Sequence, residues 1–335
     1  MRCRLGLVAT PARLLWLWLV AAPLCFASGA SAVGIDWVTV GNPLNLPCDP
    51  QGSSGCFGTV AQVYQIGKYE VTNAQYAEFL NFKAGAADPL ALYNPNMDPL
   101  AGLNGGIRQS GGLYTADPDR ASMPVNWVSF YDTLRFANWL NNGMGIGDTE
   151  TGPYTLLGGT ATPTNGPIVV RNPGASIFLT SEDEWYKAAY YDPGSGSYNT
   201  YPFADGFNGA ACESPAGATT HSANCDYPHP LSAYDVTVRG SYGSPSPNGT
   251  YDQGGNVFEW TEGLSATNRV LRGGSFISPS GQLAAASQSA GNPADEFKDV
   301  GFRVASTVPE PSTGLLVMTG VLGLAGWRRR RTFAH

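Results

Sequence analysis

Three segments of the chain combine a capping box with apolar residues at helical spacing. The caps and their partners are Thr72 with Gln75, Ser129 with Asp132, and Ser181 with Glu184. A hydroxyl followed three positions later by a longer polar side chain is typical of a helix start. The apolar positions behind the caps are Tyr76, Phe79 and Leu80; Phe130, Leu134, Ala137 and Leu140; and Trp185, Ala188 and Ala189. The pattern predicts three short helices, each with one buried face.

Short strands and long irregular segments account for the rest of the pattern. Residues 63–71 alternate as a strand does, and residues 38–46 and 178–180 also predict strands. Further candidates lie in residues 251–260, 269–276 and 301–305. The stretches 88–121, 143–174 and 192–249 are rich in turn-forming residues and predict loops, with room for a hairpin in the second. We therefore expect a loop-rich α+β fold, and neither a helical bundle nor a doubly wound sheet.

The N-terminal segment predicts export. Arg2, Arg4 and Arg13 precede or begin an apolar stretch at residues 14–26, and Ala30-Ser31-Ala32 follows it. This order is typical of a secretory signal peptide that is cleaved after Ala32. An uncleaved anchor is the alternative, but the apolar stretch is short for one.

The C-terminal segment, residues 307–335, predicts a second targeting signal. Pro309-Glu310-Pro311 is followed by an apolar run at residues 314–327 and an arginine cluster at residues 328–331. The run is shorter than the about 20 residues that a stable span needs, and the arginines hold its end in the cytoplasm. These parts resemble the PEP-CTERM sorting signal of Gram-negative bacteria, which implies a transient inner-membrane anchor, processing by an exosortase and a final place at the cell surface or outside the cell. An ordinary membrane tail is the alternative.

The charge of the part between the two terminal segments, residues 33–307, which we call the body, argues against nucleic-acid binding. The two ends hold seven arginines and one acidic residue, so residues 33–307 keep 12 basic and 25 acidic residues. A net charge of −13 repels phosphate backbones and favours cations. Calcium, which is abundant outside cells, is therefore a plausible ligand.

Four cysteines stay in the body: Cys48, Cys56, Cys212 and Cys225. In an oxidising compartment they predict two disulfides, for which three pairings are possible. We favour the local pairs Cys48–Cys56 and Cys212–Cys225, because each would close a Gly/Pro/Ser-rich loop. Metal binding by these cysteines is disfavoured, because the chain has only three histidines. The same shortage argues against a Ser-His-Asp hydrolase, and no phosphate-binding glycine motif occurs.

Five segments in order resemble the formylglycine-generating enzyme, or sulfatase-modifying factor, family. They are residues 69–73 (Tyr-Glu-Val-Thr-Asn), 123–129 (Met-Pro-Val-Asn-Trp-Val-Ser), 179–185 (Leu-Thr-Ser-Glu-Asp-Glu-Trp), 255–260 (Gly-Asn-Val-Phe-Glu-Trp), and 272–276 (Arg-Gly-Gly-Ser-Phe) with Gly-Phe-Arg at 301–303. The resemblance spans about residues 37–306. It implies a single compact domain at residues 33–306, related to C-type lectins and low in regular structure.

The resemblance also shows what the chain lacks. The oxygen-dependent enzymes of the family hold copper with two cysteines after the Gly-Gly-Ser segment, and this chain has no cysteine after Cys225. Ser278 lies about where the first would be, and the stretch that would hold the second, residues 279–286, is shorter than in the enzymes. A serine hydroxyl cannot replace a thiolate for copper(I). The copper chemistry is therefore not carried over, and the few histidines also disfavour the iron-dependent branch.

The family resemblance implies two calcium sites. The residues matching the first are Asp252, Gln253, Gly255, Val257 and Glu259, which would offer carboxylate and main-chain oxygens. Those matching the second are Asn224, the Cys225 carbonyl and Asp235. The alternative is that these residues only stabilise the core. The same role is expected for the large aromatic side chains Trp127, Trp139, Trp185 and Trp260, and for Arg272 and Arg303 as partners of buried carboxylates.

Three functions follow from these patterns. The first is a non-catalytic, calcium-stabilised binding scaffold for a glycan or protein ligand, outside the cell. The second is an enzyme with new chemistry, whose pocket would be lined by Ser275, Ser278, Ser287 and Gln288. The third is a partner that binds a sulfatase peptide without oxidising it.

Overall fold

The computed structural model describes residues 33–51, 55–101, 104–226 and 235–308. The predicted signal peptide, its cleavage site and the sorting motif Pro309-Glu310-Pro311 lie outside the described residues. Within those residues, no helix has the length and apolar character needed to cross a membrane.

Short strands and three α-helices alternate with long loops. The strands in chain order are β1 Trp37–Val40, β2 Asp49–Pro50, β3 Cys56–Phe57, β4 Tyr64–Gly67, β5 Ile107–Ser110, β6 Leu113–Ala116, β7 Ile177–Leu179, β8 Tyr191–Asp192, β9 Ser197–Tyr198, β10 Ala211–Cys212, β11 Ser222–Ala223, β12 Phe258–Ser265, β13 Asn268–Arg272, β14 Ser289–Gly291, β15 Val300–Gly301 and β16 Val304–Thr307. The helices are α1 Asn73–Lys83, α2 Phe130–Asn141 and α3 Glu182–Tyr190.

Two four-stranded sheets organise these elements. The first has the order β1-β4-β16-β7 and is antiparallel throughout. The second has the order β14-β13-β12-β15, in which the β12–β15 pair is parallel. β16 pairs with β4 on one side and with β7 on the other. The last strand in the chain therefore lies inside the first sheet and joins its early strands to β7.

All three predicted helices are confirmed, and each begins at its predicted cap. The hydroxyls of Thr72, Ser129 and Ser181 accept hydrogen bonds from the third backbone N–H, and the partner side chains reach back to the caps. The predicted apolar faces are buried, and α2 is buried along nearly its whole length. Local capping chemistry was therefore a sufficient signal for the helices.

Two loop predictions and one strand prediction need correction. The strand expected at residues 38–46 ends at Val40, because Asn42 and Leu44 take positive φ values of 50° and 55° and the chain turns away from the sheet. The segment 88–121 contains the β5–β6 hairpin, whose turn is Gly111-Gly112 with φ values of 59° and 83°. Glycine tolerates such angles at no steric cost, so this pair was a readable hairpin signal. The segment 192–249, also predicted as a loop, contains β9 and the β10–β11 pair. The segment 143–174 is a loop as predicted, without a hairpin.

An aromatic core joins α1 and α2 to the first sheet. The ring of Phe136 lies 5.3–6.0 Å from the rings of Tyr76, Phe79, Trp139 and Phe302. We call Phe136 and these four residues the aromatic core. Trp139, Trp185 and Trp260 are buried as predicted. Trp127 is only half-buried, at the edge of the core, with a positive φ of 58°.

Candidate functional site

Arg303 and Glu259 form a fully buried ion pair where the two sheets approach each other. Arg303 Nε and Nη2 donate to the two carboxylate oxygens of Glu259 at 2.6 and 2.7 Å, and both side chains are 0% exposed. Trp185 Nε1 donates to the same carboxylate at 2.8 Å. Arg303 also donates to the carbonyls of Gly67 and Tyr251. The predicted pairing of Arg303 with a buried carboxylate is confirmed.

Two more carboxylates, the buried Glu70 and the partly buried Asp252, lie within electrostatic reach of this pair. Burial raises the pKa of Glu70 well above its usual value, with Asp252 and Glu259 adding to the rise and Arg303 opposing it. Burial likewise raises the pKa of Asp252 to about 6. Glu70 Oε1 accepts a hydrogen bond from Asn256, whereas Oε2 has no partner among the described residues. We call Glu70, Asp252, Glu259 and Arg303 the ionic centre; it holds more carboxylates than cations.

The residues of the first predicted calcium site lie in and beside the ionic centre. Asp252 Oδ2 accepts from the Gly240 N–H at 2.6 Å. Gln253 turns away, since its amide bonds Thr250 and the Trp185 carbonyl. Gly255 donates its N–H to Gly273, and the Val257 side chain packs in an apolar cluster.

A calcium ion fits this arrangement only in part. Both oxygens of Glu259 already accept from Arg303, so this carboxylate is not free to act as a strong ligand. Within the described ranges, no three His, Cys, Asp or Glu side chains are grouped so that they could hold a metal ion. An ion here would depend on Asp252, the unpartnered oxygen of Glu70 and main-chain carbonyls.

The residues of the second predicted site are brought together but bond to one another and to an arginine. Asn224 Nδ2 donates to the Asp235 carbonyl at 2.9 Å. The Asp235 carboxylate accepts from both terminal nitrogens of Arg120 at 2.7 Å. The Asp235 carboxylate is therefore paired with the Arg120 guanidinium, a contact that was not predicted from the sequence.

Arg272 forms the second ion pair predicted for the motif arginines. Its Nε and Nη2 donate to Glu182 Oε1 at 2.9 and 2.6 Å, and its Nη1 donates to the carbonyls of Ala285 and Ser287. Gln288 also donates to Glu182, at 2.8 Å. Ser287 and Gln288, which were predicted to line a pocket with Ser278, thus contact the Arg272–Glu182 pair.

Ser275 and Ser278, which were predicted to line a pocket, are both buried. Ser278 is 3% and Ser275 0% exposed. Ser278 Oγ accepts from the Ser275 N–H at 3.0 Å and lies 3.2 Å from Ser275 Oγ. Ser275 Oγ donates to Asp299 Oδ2 at 2.8 Å. Asp299 was not predicted as a site residue, although it lies two residues before the Gly-Phe-Arg segment.

Both predicted disulfides are present. Cys48 pairs with Cys56 and Cys212 with Cys225, with Cα–Cα distances of 5.5 and 4.8 Å. The first staples the β2–β3 pair, and the second holds β10 to the loop after β11. All four cysteines of residues 33–308 are therefore oxidised, and this part of the chain offers no thiol.

Comparisons with known proteins agree with this geometry. A family model for the Sulfatase-modifying factor enzyme 1-like domain matches residues 58–308, and the PEP-CTERM protein-sorting motif matches residues 307–331. Treponema denticola variable protein 1 is 19% identical, with a TM-score of 0.55, over 84% of this chain and 98% of that one. The structure titled "Crystal Structure of CarF" is 21% identical, with a TM-score of 0.50, over 82% and 99%. No curated protein matches the chain. These likenesses confirm the predicted fold class.

Proposed function

Because the chain belongs to the Sulfatase-modifying factor enzyme 1-like family, we propose that it is a non-catalytic binding scaffold that works outside the inner membrane. One observation carries the proposal: the four cysteines of residues 33–308 are locked in disulfides, and Ser278, which lies about where the family resemblance puts the first copper-binding cysteine, is buried and bonded to Ser275. Copper(I) needs soft sulfur ligands, and buried hydroxyls do not supply them.

The place of action follows from the sorting motif. A PEP-CTERM motif at residues 307–331 implies export and processing by an exosortase, with a cell-surface or extracellular destination. Transient anchoring by the apolar run at residues 314–327 is part of the proposal. Outside the cell there is no reducing environment to break the two disulfides, so they keep the loops that they close ordered.

The direct test is a turnover assay on the exported protein. We expect no formylglycine in a cysteine-containing sulfatase peptide incubated with the protein, copper(I) and oxygen, while an active family enzyme converts it under the same conditions. A screen of immobilised glycans and of cell-surface proteins should find a ligand. Copper-dependent conversion of the peptide would overturn the non-catalytic proposal.

Calcium stabilisation is a separate part of this proposal. The support is the excess of carboxylates over cations in the ionic centre and the unpartnered oxygen of Glu70. Calcium at a hundredfold its Kd would add about 2.7 kcal/mol of stability. We expect a higher Tm in calcium than in EDTA, and no such difference for Asp252→Asn. The exposed Asp119→Asn is the matched control and should keep the shift. Equal Tm values for the unchanged protein in millimolar calcium and in EDTA would refute this part.

A second candidate function, an enzyme with serine chemistry, is favoured by one contact. Asp299 accepts a hydrogen bond from Ser275, so a carboxylate lies within reach of the two hydroxyls. The burial of both serines opposes this function. A fluorophosphonate probe distinguishes the two: we expect no labelling of the folded protein, and labelling that disappears in Ser278→Ala would favour the enzyme.

A further inference from the structure

A concave surface outside the family's catalytic region lies between the end of α1 and the β5–β6 hairpin. Its cavity volume is about 410 Å³, within the range of small-ligand sites. The chemically informative lining residues are Asp88, Tyr93, Asp98, Gln109 and Tyr114.

The two tyrosines form a fixed aromatic wall. Their ring centroids lie 5.1 Å apart at an angle of 58°. Tyr93 Oη donates to the Ile107 carbonyl at 3.1 Å, and Tyr114 Oη donates to the Gly85 carbonyl at 2.9 Å. Since both hydroxyls are bonded to backbone, the rings keep one orientation. Tyr114 is only 3% exposed and supports Tyr93, whose partly buried ring presents apolar surface to the cavity without a loss of side-chain freedom on binding.

The rim of the cavity is acidic. Asp88 accepts from the Leu92 and Tyr93 N–H groups, and Asp98 Oδ1 accepts from the Leu100 N–H. These bonds hold the carboxylates in place and leave further acceptor capacity on their oxygens.

Among the described residues, no Lys, Arg or His lines this cavity. Arg108 is adjacent to Gln109 on β5, but side chains alternate along a strand, and Arg108 pairs with Asp117 at 2.8 Å. The cavity therefore has a negative potential, on a body whose net charge is −13.

We propose that this cavity binds an amino sugar. The accessible ring of Tyr93 suits the C–H face of a sugar, the carboxylates suit an ammonium group, and the exposed Gln109 amide suits sugar hydroxyls. The inference rests on the proposed function as a binding scaffold, and it names the class of ligand that this surface would take.

Titration calorimetry of the exported protein with glucosamine, N-acetylglucosamine and butylamine tests the proposal. We expect glucosamine to bind and the other two to bind at least about fivefold more weakly, because one lacks the charge and the other lacks the ring. Asp98→Asn keeps the shape of the side chain and should weaken glucosamine about two- to fivefold. Asp119→Asn removes the same charge from an exposed position outside the cavity and should change binding less than twofold.

Three results would overturn the inference: no binding of glucosamine, equal binding of N-acetylglucosamine or butylamine, or equal weakening by Asp98→Asn and Asp119→Asn. The proposed function fails separately, by copper-dependent peptide oxidation. A glycan or protein ligand whose binding is unchanged in Asp98→Asn would leave the scaffold function standing and remove this cavity as its site.

Discussion

The aromatic core around Phe136 and the ionic centre around Arg303 stabilise one domain by different physical means. The aromatic core buries apolar rings contributed mainly by two helices, so each contact gains from removal of surface from water. The ionic centre buries charges contributed by loops and strand ends, so its stability depends on every charge keeping its partner. The difference shows which substitutions each region tolerates. In the aromatic core, removal of a ring leaves a cavity and destabilises the fold. In the ionic centre, removal of one charge leaves the other buried without a partner, which is more destabilising than removal of both charges.

The largest expected effect is at the aromatic core. Phe136→Ala removes a fully buried ring that contacts four others, and should cost about 4–5 kcal/mol of unfolding free energy. Urea unfolding at fixed pH measures it. A cost below about 2 kcal/mol would mean that the cavity collapses and that the core is less tightly packed than these ring distances indicate.

Glu259→Gln should cost slightly less, about 3–4 kcal/mol, because it leaves the Arg303 charge buried without its carboxylate. The double variant Glu259→Gln with Arg303→Met should recover part of this loss, which distinguishes an ionic from an apolar defect. Asp117→Asn, at a partly exposed pair with Arg108, is the control and should cost less than about 1 kcal/mol. If the double variant were much less stable than Glu259→Gln, the ionic centre would owe its stability to packing around Arg303.

The aromatic side of the molecule also contains a buried titratable group, Asp132 on α2. Burial, followed by Glu296, raises the pKa of Asp132 to about 8, against the opposing hydrogen bonds of Ser129 and the charge of Arg135. The folded state therefore holds this proton more tightly than the unfolded state, so stability should fall as pH rises from about 4 to about 8. Urea midpoints across this range measure the slope, and Asp132→Asn should flatten it. An unchanged slope in that variant would assign the effect to Glu70 and Asp252 instead.

The smallest effect is expected at Ser278. Ser278→Ala removes one hydroxyl from a local hydrogen-bonded turn and should cost about 1 kcal/mol. Ligand binding found in the screen should be unchanged. A loss of binding with intact stability would show that this position contacts the ligand.

The parts of the fold that could be predicted are those encoded within a few residues. Thr72, Ser129 and Ser181 predicted three helices because a capping box and an apolar stripe are both local. The Gly111-Gly112 hairpin was also readable but was included in a loop, because the flanking strands alternate only weakly in hydrophobicity.

The candidate site could be predicted only where family motifs carried it. Arg303 was expected to meet a carboxylate, yet nothing in the chain marked Glu259 as a partner that would compete with a metal. The Arg120–Asp235 pair and the Ser275–Asp299 contact join residues 115 and 24 positions apart. No pattern of neighbouring residues encodes contacts at such separations.

By itself, the sequence determined the sorting motif at residues 307–331, the three capped helices and the absence of any cysteine after Cys225, because each can be recognised from residue types and their local spacing. Only the tertiary structure decided that Glu259 bonds Arg303, that Ser278 is buried, and that two tyrosines and two aspartates line one cavity beside the hairpin. The physical reason is that charge pairing and burial depend on which distant segments meet, and that is set by packing of the whole chain.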